Sequence, residues 1–254
     1  MRSLIAFPCP GDTLIGTLDA APSTTGLLIV SGGYEIRCGA HRGMALLAQS
    51  VSAAGHPVFR YDRRGIGDST GVNGGFLSAR DDLIAAAAAF RAHAPQLDRI
   101  VGFGNCDAAS TLALFGGDAG IDRLLLANPW TIEQTDALPP AAAIRATYRQ
   151  RLTDPAAWRR LLTGHINLAK AMKGLRKAAT PPPQALATRV IAAISDWGDA
   201  ATVLLASGDA TAQAYAAAAR HLPAERIDTA SHSFARAEDQ RALRNAVLTT
   251  LTKL

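Results

Sequence analysis

The sequence predicts an α/β fold: a mostly parallel central sheet flanked by helices and interrupted by an inserted helical lid. Two observations carry this class. Short, continuous apolar runs alternate with segments of helical period, the pattern of strands buried on both faces and joined by helical crossovers. The alternation breaks between residues 131 and 199, where Pro139-Pro140, Pro155 and Pro181–Pro183 separate short helical stretches, and then resumes. The chain thus divides into a first core part, 1–130, a lid insertion, 131–199, and a second core part, 200–254.

Each element has a local reason. Ser3–Phe7 and Thr13–Leu18 flank Pro10-Gly11-Asp12, which predicts a hairpin. Leu27–Val30 reads as a buried strand ending at Ser31-Gly32-Gly33. Met44–Ala54 is apolar at helical spacing and stops at Gly55. Pro57–Tyr61 is a strand that leads into Asp62–Ser69, an Asp-x-x-Gly-x-Gly-x-Ser turn. Leu77–His93 predicts a long helix, Arg99–Gly102 a strand, Ala108–Phe115 a helix and Leu124–Ala127 a strand. The insertion holds helical stretches at Ala141–Leu152, Ala156–Leu162, Asn167–Ala179 and Gln184–Ile194. Beyond it come a strand at Thr202–Ala206, a helix at Thr211–His221, a strand at Arg226–Asp228 and a last helix at Phe234–Leu251. Lids of this kind cover the carboxyl ends of strands, where open α/β sheets bind ligands.

Composition narrows the classes. A chain of 254 residues, 48% hydrophobic, is long enough for one full core. No apolar run reaches the ~20 residues of a membrane span. Met1–Pro10 lacks the pattern of a signal peptide, so the expected compartment is the cytoplasm. Cys9, Cys38 and Cys106 make an odd count without CxxC spacing, which argues against a disulfide framework. The six histidines are scattered, without an HExxH, so neither a metal site nor a cofactor is expected. Residues 131–200 carry ten Lys/Arg against five Asp/Glu, whereas the rest of the chain carries sixteen of each. The net charge of +5 therefore sits in the insertion. Such a face is either simply solvated or attracts an anionic substrate or an anionic membrane surface. No nucleic-acid motif accompanies it.

Residues 102–110, Gly-Phe-Gly-Asn-Cys-Asp-Ala-Ala-Ser, carry the chemistry. The form is Gly-x-nucleophile-x-small, a strand turning sharply into a helix, with Cys106 where a serine is usual. Such an elbow exposes the nucleophile and offers the next backbone N–H to an oxyanion. A helix N-terminus beside an imidazole favours thiolate; Cys9, between two prolines, and Cys38, in a loop, lack that setting. The start of a Gly-x-Gly-x-x-Gly pattern here is not a dinucleotide site, because Asp107 takes the third glycine's place.

A thiol nucleophile needs a base, an orienter and oxyanion donors. His232, in Ala-Ser-His-Ser-Phe after the last short strand, is the candidate base; the plain alternative is a loop or core histidine. Asp209, in Ser-Gly-Asp-Ala-Thr-Ala, is the candidate orienter; the plain alternative is a helix N-cap. Asp228 and Asp199 are weaker substitutes. The oxyanion donors expected are the backbone N–H of Asp107 and that of Gly33 or Tyr34, in the loop after Leu27–Val30. Arg60, Arg63 and Arg64 read as ion-paired scaffold or rim residues.

With these residues in place the chain resembles the α/β-hydrolase family called exosortase A system-associated hydrolase 1. The stretches are Ser31-Gly32-Gly33, Arg37-x-Gly39-x-His41-Arg42, Arg60-Tyr61-Asp62-x-Arg64-Gly65-x-Gly67-Asp68-Ser69, Cys106-Asp107-Ala108-Ala109-Ser110 and Asn128-Pro129-Trp130. The resemblance implies the α/β-hydrolase fold and a bacterial cytoplasmic protein linked to exopolysaccharide production and envelope sorting. The expected activity is cleavage of a carboxylic ester or thioester, a small acyl substrate, through acyl-Cys106 with His232 and Asp209. The alternatives are an acyltransferase that passes the group to a sugar, amine or thiol, and a non-catalytic scaffold. Acyl group, acceptor, substrate-binding residues and oligomeric state are not legible in the sequence.

Overall fold

In the computed structural model the described residues are 1–133 and 185–253. Eight strands form one sheet: β1 (Arg2–Cys9), β2 (Asp12–Asp19), β3 (Thr25–Val30), β4 (Val58–Tyr61), β5 (Arg99–Asn105), β6 (Arg123–Ala127), β7 (Ala201–Ala206) and β8 (Glu225–Ile227). Their order is β1-β2-β4-β3-β5-β6-β7-β8. The β1/β2 and β2/β4 pairs are antiparallel, and every later pair is parallel. The antiparallel pairs lie at the edge formed by the hairpin, where β1 alternates between exposed residues and half-buried or buried ones.

Among the described residues, six α-helices cover the sheet: α1 (Gly43–Ala53), α2 (Arg80–His93), α3 (Asp107–Phe115), α4 (Ala185–Asp196), α5 (Ala210–Ala218) and α6 (Ala237–Thr252). Leu83, Phe90, Leu112, Val190 and Tyr215, from α2 to α5, join one core with Leu28, Val30 and Leu126 of the sheet. Leu47, Val51, Leu243 and Val247, from α1 and α6, join the other with Leu27, Ile29 and Phe103. Successive strand residues therefore feed opposite cores, which is why these strands are continuously apolar.

The differences from the sequence reading are local. β5 runs to Asn105, past the expected Gly102, because both neighbouring strands continue its ladder: Val30 pairs with Gly104 and Asn105 with Ala127. α2 starts at Arg80, after a separate 3-10 turn at Phe76–Ser78. α5 ends at Ala218, short of His221.

Of the expected insertion, the stretches Ala141–Leu152, Ala156–Leu162 and Asn167–Ala179 lie outside the described residues. So does most of the basic excess. The last stretch is α4, and it packs into the core through Val190, Ile191 and Ile194. Trp197, just after it, donates its indole N–H to the Ala113 carbonyl at 3.1 Å. Leu186 N–H donates to Glu133 Oε1 at 2.9 Å, joining the two described stems. Among the described residues no helix is long and apolar enough to cross a membrane.

The strand order positions the site. From β3 the chain passes to β4 on one side, while β5 lies on the other. Loops leaving the carboxyl ends of β3 and β5 therefore diverge and leave a crevice between them.

Candidate active site

The elbow forms where β5 meets α3. Cys106 takes φ 63° and ψ −127°, a conformation that costs of order 1–3 kcal/mol for a residue with a Cβ. Its backbone is held on both sides: Cys106 N–H donates to the Ala127 carbonyl at 3.0 Å, and Trp130 N–H donates to the Cys106 carbonyl at 3.2 Å. Ser110 Oγ donates to the Trp130 carbonyl at 2.7 Å, so the segment after β6 is tied to the elbow from two directions. A Cβ on Gly104 would meet the Ala108 carbonyl carbon at 2.7 Å and its oxygen at 2.8 Å. Only glycine lets the strand pass α3 this closely.

His232 and Asp209, far apart in sequence, come together at the elbow. His232 Nδ1 lies 3.0 Å from Asp209 Oδ1. The Cys106 side chain stands beside the same ring and acts on its charge. The Asp209 carboxylate beside it, then the Cys106 sulfur, push the imidazole up to about 10, against an opposing effect of burial. For Asp209 burial alone would push the carboxyl up; the hydrogen bond and charge of His232, with the N–H groups of Ala212 and Thr211, bring it below its ordinary value.

Asp209 unites its two readings. Its Oδ2 accepts from Thr211 N–H and Ala212 N–H, both at 3.0 Å, and caps α5. Its other oxygen faces His232. The cap fixes the carboxylate's rotamer, so it arrives oriented. The weaker substitutes, Asp228 and Asp199, are exposed.

The remaining histidines do other things. His56 Nδ1 hydrogen-bonds the Thr25 carbonyl, and His93 Nδ1 the Ala89 carbonyl, each at 2.9 Å. His41 and His221 are exposed. His165 lies outside the described residues. Cys9 is buried, and burial pushes its thiol up despite a 2.8 Å hydrogen bond from Arg64 Nη2.

The loop after β3 touches the elbow. An ideal Cβ on Gly32 would stand 2.7 Å from the Asn105 carbonyl oxygen, 2.9 Å from Asp107 Oδ1 and 3.6 Å from Cys106 Cβ. Gly33 N–H is aimed at the elbow and donates to Asp107 Oδ1 at 2.7 Å. The Gly33 carbonyl is turned the other way and accepts from Arg63 Nη2. Tyr34 is 86% exposed. Asp107 begins α3, where helix geometry leaves its N–H without a carbonyl partner.

The three arginines in or just after β4 all have the ion-paired role expected. Arg60 Nη2 lies 3.5 Å from Asp19 Oδ2, and Arg64 pairs with Asp12 at 3.3 Å and Asp82 at 3.2 Å. Arg63 differs in its place. Its side chain is 2% exposed and reaches under the loop after β3, with Nη2 3.5 Å from Asp107 Oδ2.

Two residues of the site were missed in the sequence. Asn105 Nδ2 donates to the His232 carbonyl at 3.0 Å, and Asn128 Nδ2 donates to Asn105 Oδ1 at 2.9 Å. Asn128 Oδ1 in turn accepts from Ala206 N–H at 2.8 Å. Asn128 is fully buried at φ 44°. The available signal was an asparagine directly after a buried strand and before a proline, a position suited to a left-handed backbone.

No family model and no curated protein matches the chain. Solved structures do. The α/β hydrolase GrgF from Penicillium is 18% identical over 100% of this chain and 98% of its own, with a TM-score of 0.66. An esterase of Pyrococcus furiosus is 14% identical over 100% and 91%, with a TM-score of 0.65. The thioesterase domain from the curacin biosynthetic pathway is 12% identical over 98% and 99%, with a TM-score of 0.58. The chain has the α/β-hydrolase fold.

Proposed function

We propose that the protein is a hydrolase of carboxylic esters or thioesters that works through an acyl-cysteine intermediate. The observation that carries this reading is the line of contacts from Asp209 Oδ1 to His232 Nδ1 at 3.0 Å and on from His232 to Cys106. A carboxylate, an imidazole and a thiol in this order form an activated nucleophile. Structures titled esterase and thioesterase share the fold, which supports the same reaction class.

Cys106 sulfur, as thiolate, attacks the carbonyl carbon and forms the C–S bond. The electron pair moves to the carbonyl oxygen, which the backbone N–H groups of Asp107 and Gly33 receive. His232, as imidazolium, donates its proton to the leaving alkoxide or thiolate as that bond breaks. Water then attacks the acyl-Cys106 carbonyl and gives a proton to His232. Collapse releases the carboxylic acid and returns the thiolate beside the imidazolium. Asp209 orients the ring and stabilises its charge throughout. The resemblance of the elbow and of Asn128-Pro129-Trp130 to an exosortase-associated hydrolase supports a bacterial setting in envelope sorting and exopolysaccharide production.

The test is intact mass after exposure to a p-nitrophenyl ester or an acyl thioester. One acyl adduct on Cys106, cleared by water, is the expected result. An adduct that persists in water and clears with an added amine or thiol marks a transferase. No adduct, with no preference of iodoacetamide for Cys106 over Cys9 and Cys38, overturns the enzyme reading.

A further inference from the structure

The acyl-enzyme reading leaves one charged group beside Cys106 without a role. The Asp107 carboxylate lies across the second oxyanion donor: Oδ1 takes the Gly33 N–H at 2.7 Å, and Oδ2 lies 3.5 Å from Arg63 Nη2. Arg63 is buried, and its Nε and Nη1 have no hydrogen-bond partner among the described residues. The niche made by Gly33 N–H and Arg63 is therefore built for an anion, and at rest the chain's own carboxylate fills it. One N–H cannot serve a carboxylate and a developing oxyanion together.

We infer that Asp107 is a gate on the oxyanion hole: its side chain occupies the Gly33 N–H at rest and swings away when an acyl substrate enters. This rests on the acyl-enzyme reading. The movement needs only rotation about the Asp107 Cα–Cβ bond, and the side chain is 16% exposed, so solvent reaches it. The backbone N–H of Asp107 stays fixed by α3, so the first donor is unaffected. As the carboxylate leaves, the oxyanion takes over its negative charge opposite Arg63, and the buried guanidinium keeps a counter-charge through the reaction. Arg63, by holding the Gly33 carbonyl, keeps the Gly33 N–H pointed at the elbow in both states. Arg63 is thus a positioning residue, and the gate restricts the thiol to substrates that compete successfully for Gly33 N–H.

The experiment compares alkylation of Cys106 by iodoacetate and by iodoacetamide, resolved by peptide mass. The ratio of the two rates cancels the intrinsic reactivity of the sulfur, since both reagents meet the same thiol. Asp107→Asn and Asp107→Ala are expected to raise the iodoacetate-to-iodoacetamide ratio by about tenfold or more, as the niche's positive field is unmasked. In Asp107→Ala, acetate at constant ionic strength is expected to protect Cys106, and not in the wild type. Turnover of p-nitrophenyl acetate is expected to rise in Asp107→Ala. An unchanged ratio in both variants, no protection by acetate, or a fall in ester turnover with the fold intact overturns the gate. The alkylation arms need no turnover. A ratio that moves in a protein that never hydrolyses an ester therefore refutes the acyl-enzyme reading alone.

Discussion

The two flanks of Cys106 are built by opposite means. On the His232 flank, neutral amide groups hold the backbone: half-buried Asn105 and buried Asn128 tie the His232 carbonyl to the ends of β5 and β6, and Ala206 N–H ties Asn128 to β7. The oxygen of Asp209 that does not face the ring is spent capping α5. On the loop flank, a charged side chain lies on the Gly33 N–H, with a buried guanidinium behind it. The first flank is set before substrate arrives. The second is held by a contact that another anion can replace. Neutral amide hydrogen bonds within the fold leave no exchangeable partner, whereas a carboxylate that solvent reaches does.

Substitutions on the first flank measure how far it is preset. Cys106→Ala and His232→Ala are each expected to lower turnover by about 10³-fold or more, and the double variant by no more than the worse single one, since the residues act as a unit. Steady-state kinetics with one ester checks this, alongside thermal melts that should barely move. Asp209→Asn separates the two duties of that carboxylate. Asparagine caps helices as well as aspartate does, so stability should hold while turnover falls about 10²- to 10⁴-fold; Asp209→Ala should lose both. If Asp209→Asn turns over normally, the residue is only a cap.

A smaller effect is expected at Asn128. Asn128→Ala leaves the buried Ala206 N–H unpaired and removes the donor that holds Asn105 Oδ1, and through it the His232 carbonyl. The expected loss is about 1–3 kcal/mol in urea denaturation, with a fall in kcat larger than any change in KM. A purely structural residue would lower stability and leave kcat per folded molecule untouched.

The mildest test uses pH. Asp209 and Cys106 raise His232 from its ordinary 6.5 to about 10. The folded protein therefore binds this proton more tightly than the unfolded chain. The resulting stability is complete below 6.5 and is lost as pH rises through about 10. Asp209 is lowered, so its contribution is present at neutral pH and fades as pH falls into the acid range. Urea midpoints of wild type and His232→Gln should converge above the raised value and diverge below it. A constant gap would mean that the ring is not charged beside its partners.

Much of this site was legible in the chain. The elbow is local: Gly102, Gly104 and Ala108 are small because strand and helix must pass, and that steric need leaves a short, readable signature around Cys106. Asp209 follows a short apolar strand and His232 the last short strand, and their order after the elbow is the one expected of an orienter and a base. The capping of α5 by Asp209 was also expected, though only as the rival to its place beside His232; two oxygens allow both. The Asn105–Asn128–Ala206 line was not legible, because it joins the ends of β5, β6 and β7, and their adjacency is a property of strand order. Arg63 was grouped with Arg60 and Arg64 for the same reason: three neighbours in sequence differ in what lies beneath them.

The sequence by itself determined the α/β class, the sharp turn at Cys106 and the kinds of groups at strand ends, since apolar alternation and backbone sterics act over a few residues. Only the tertiary structure decided which of those groups meet. Placing β3 beside β5 brings the Gly32–Gly33 loop against the elbow, and Arg63 under that loop turns Gly33 N–H toward Asp107. A hydrogen bond is made or lost within fractions of an ångström, a precision that the packing of distant strands sets and local pattern does not carry.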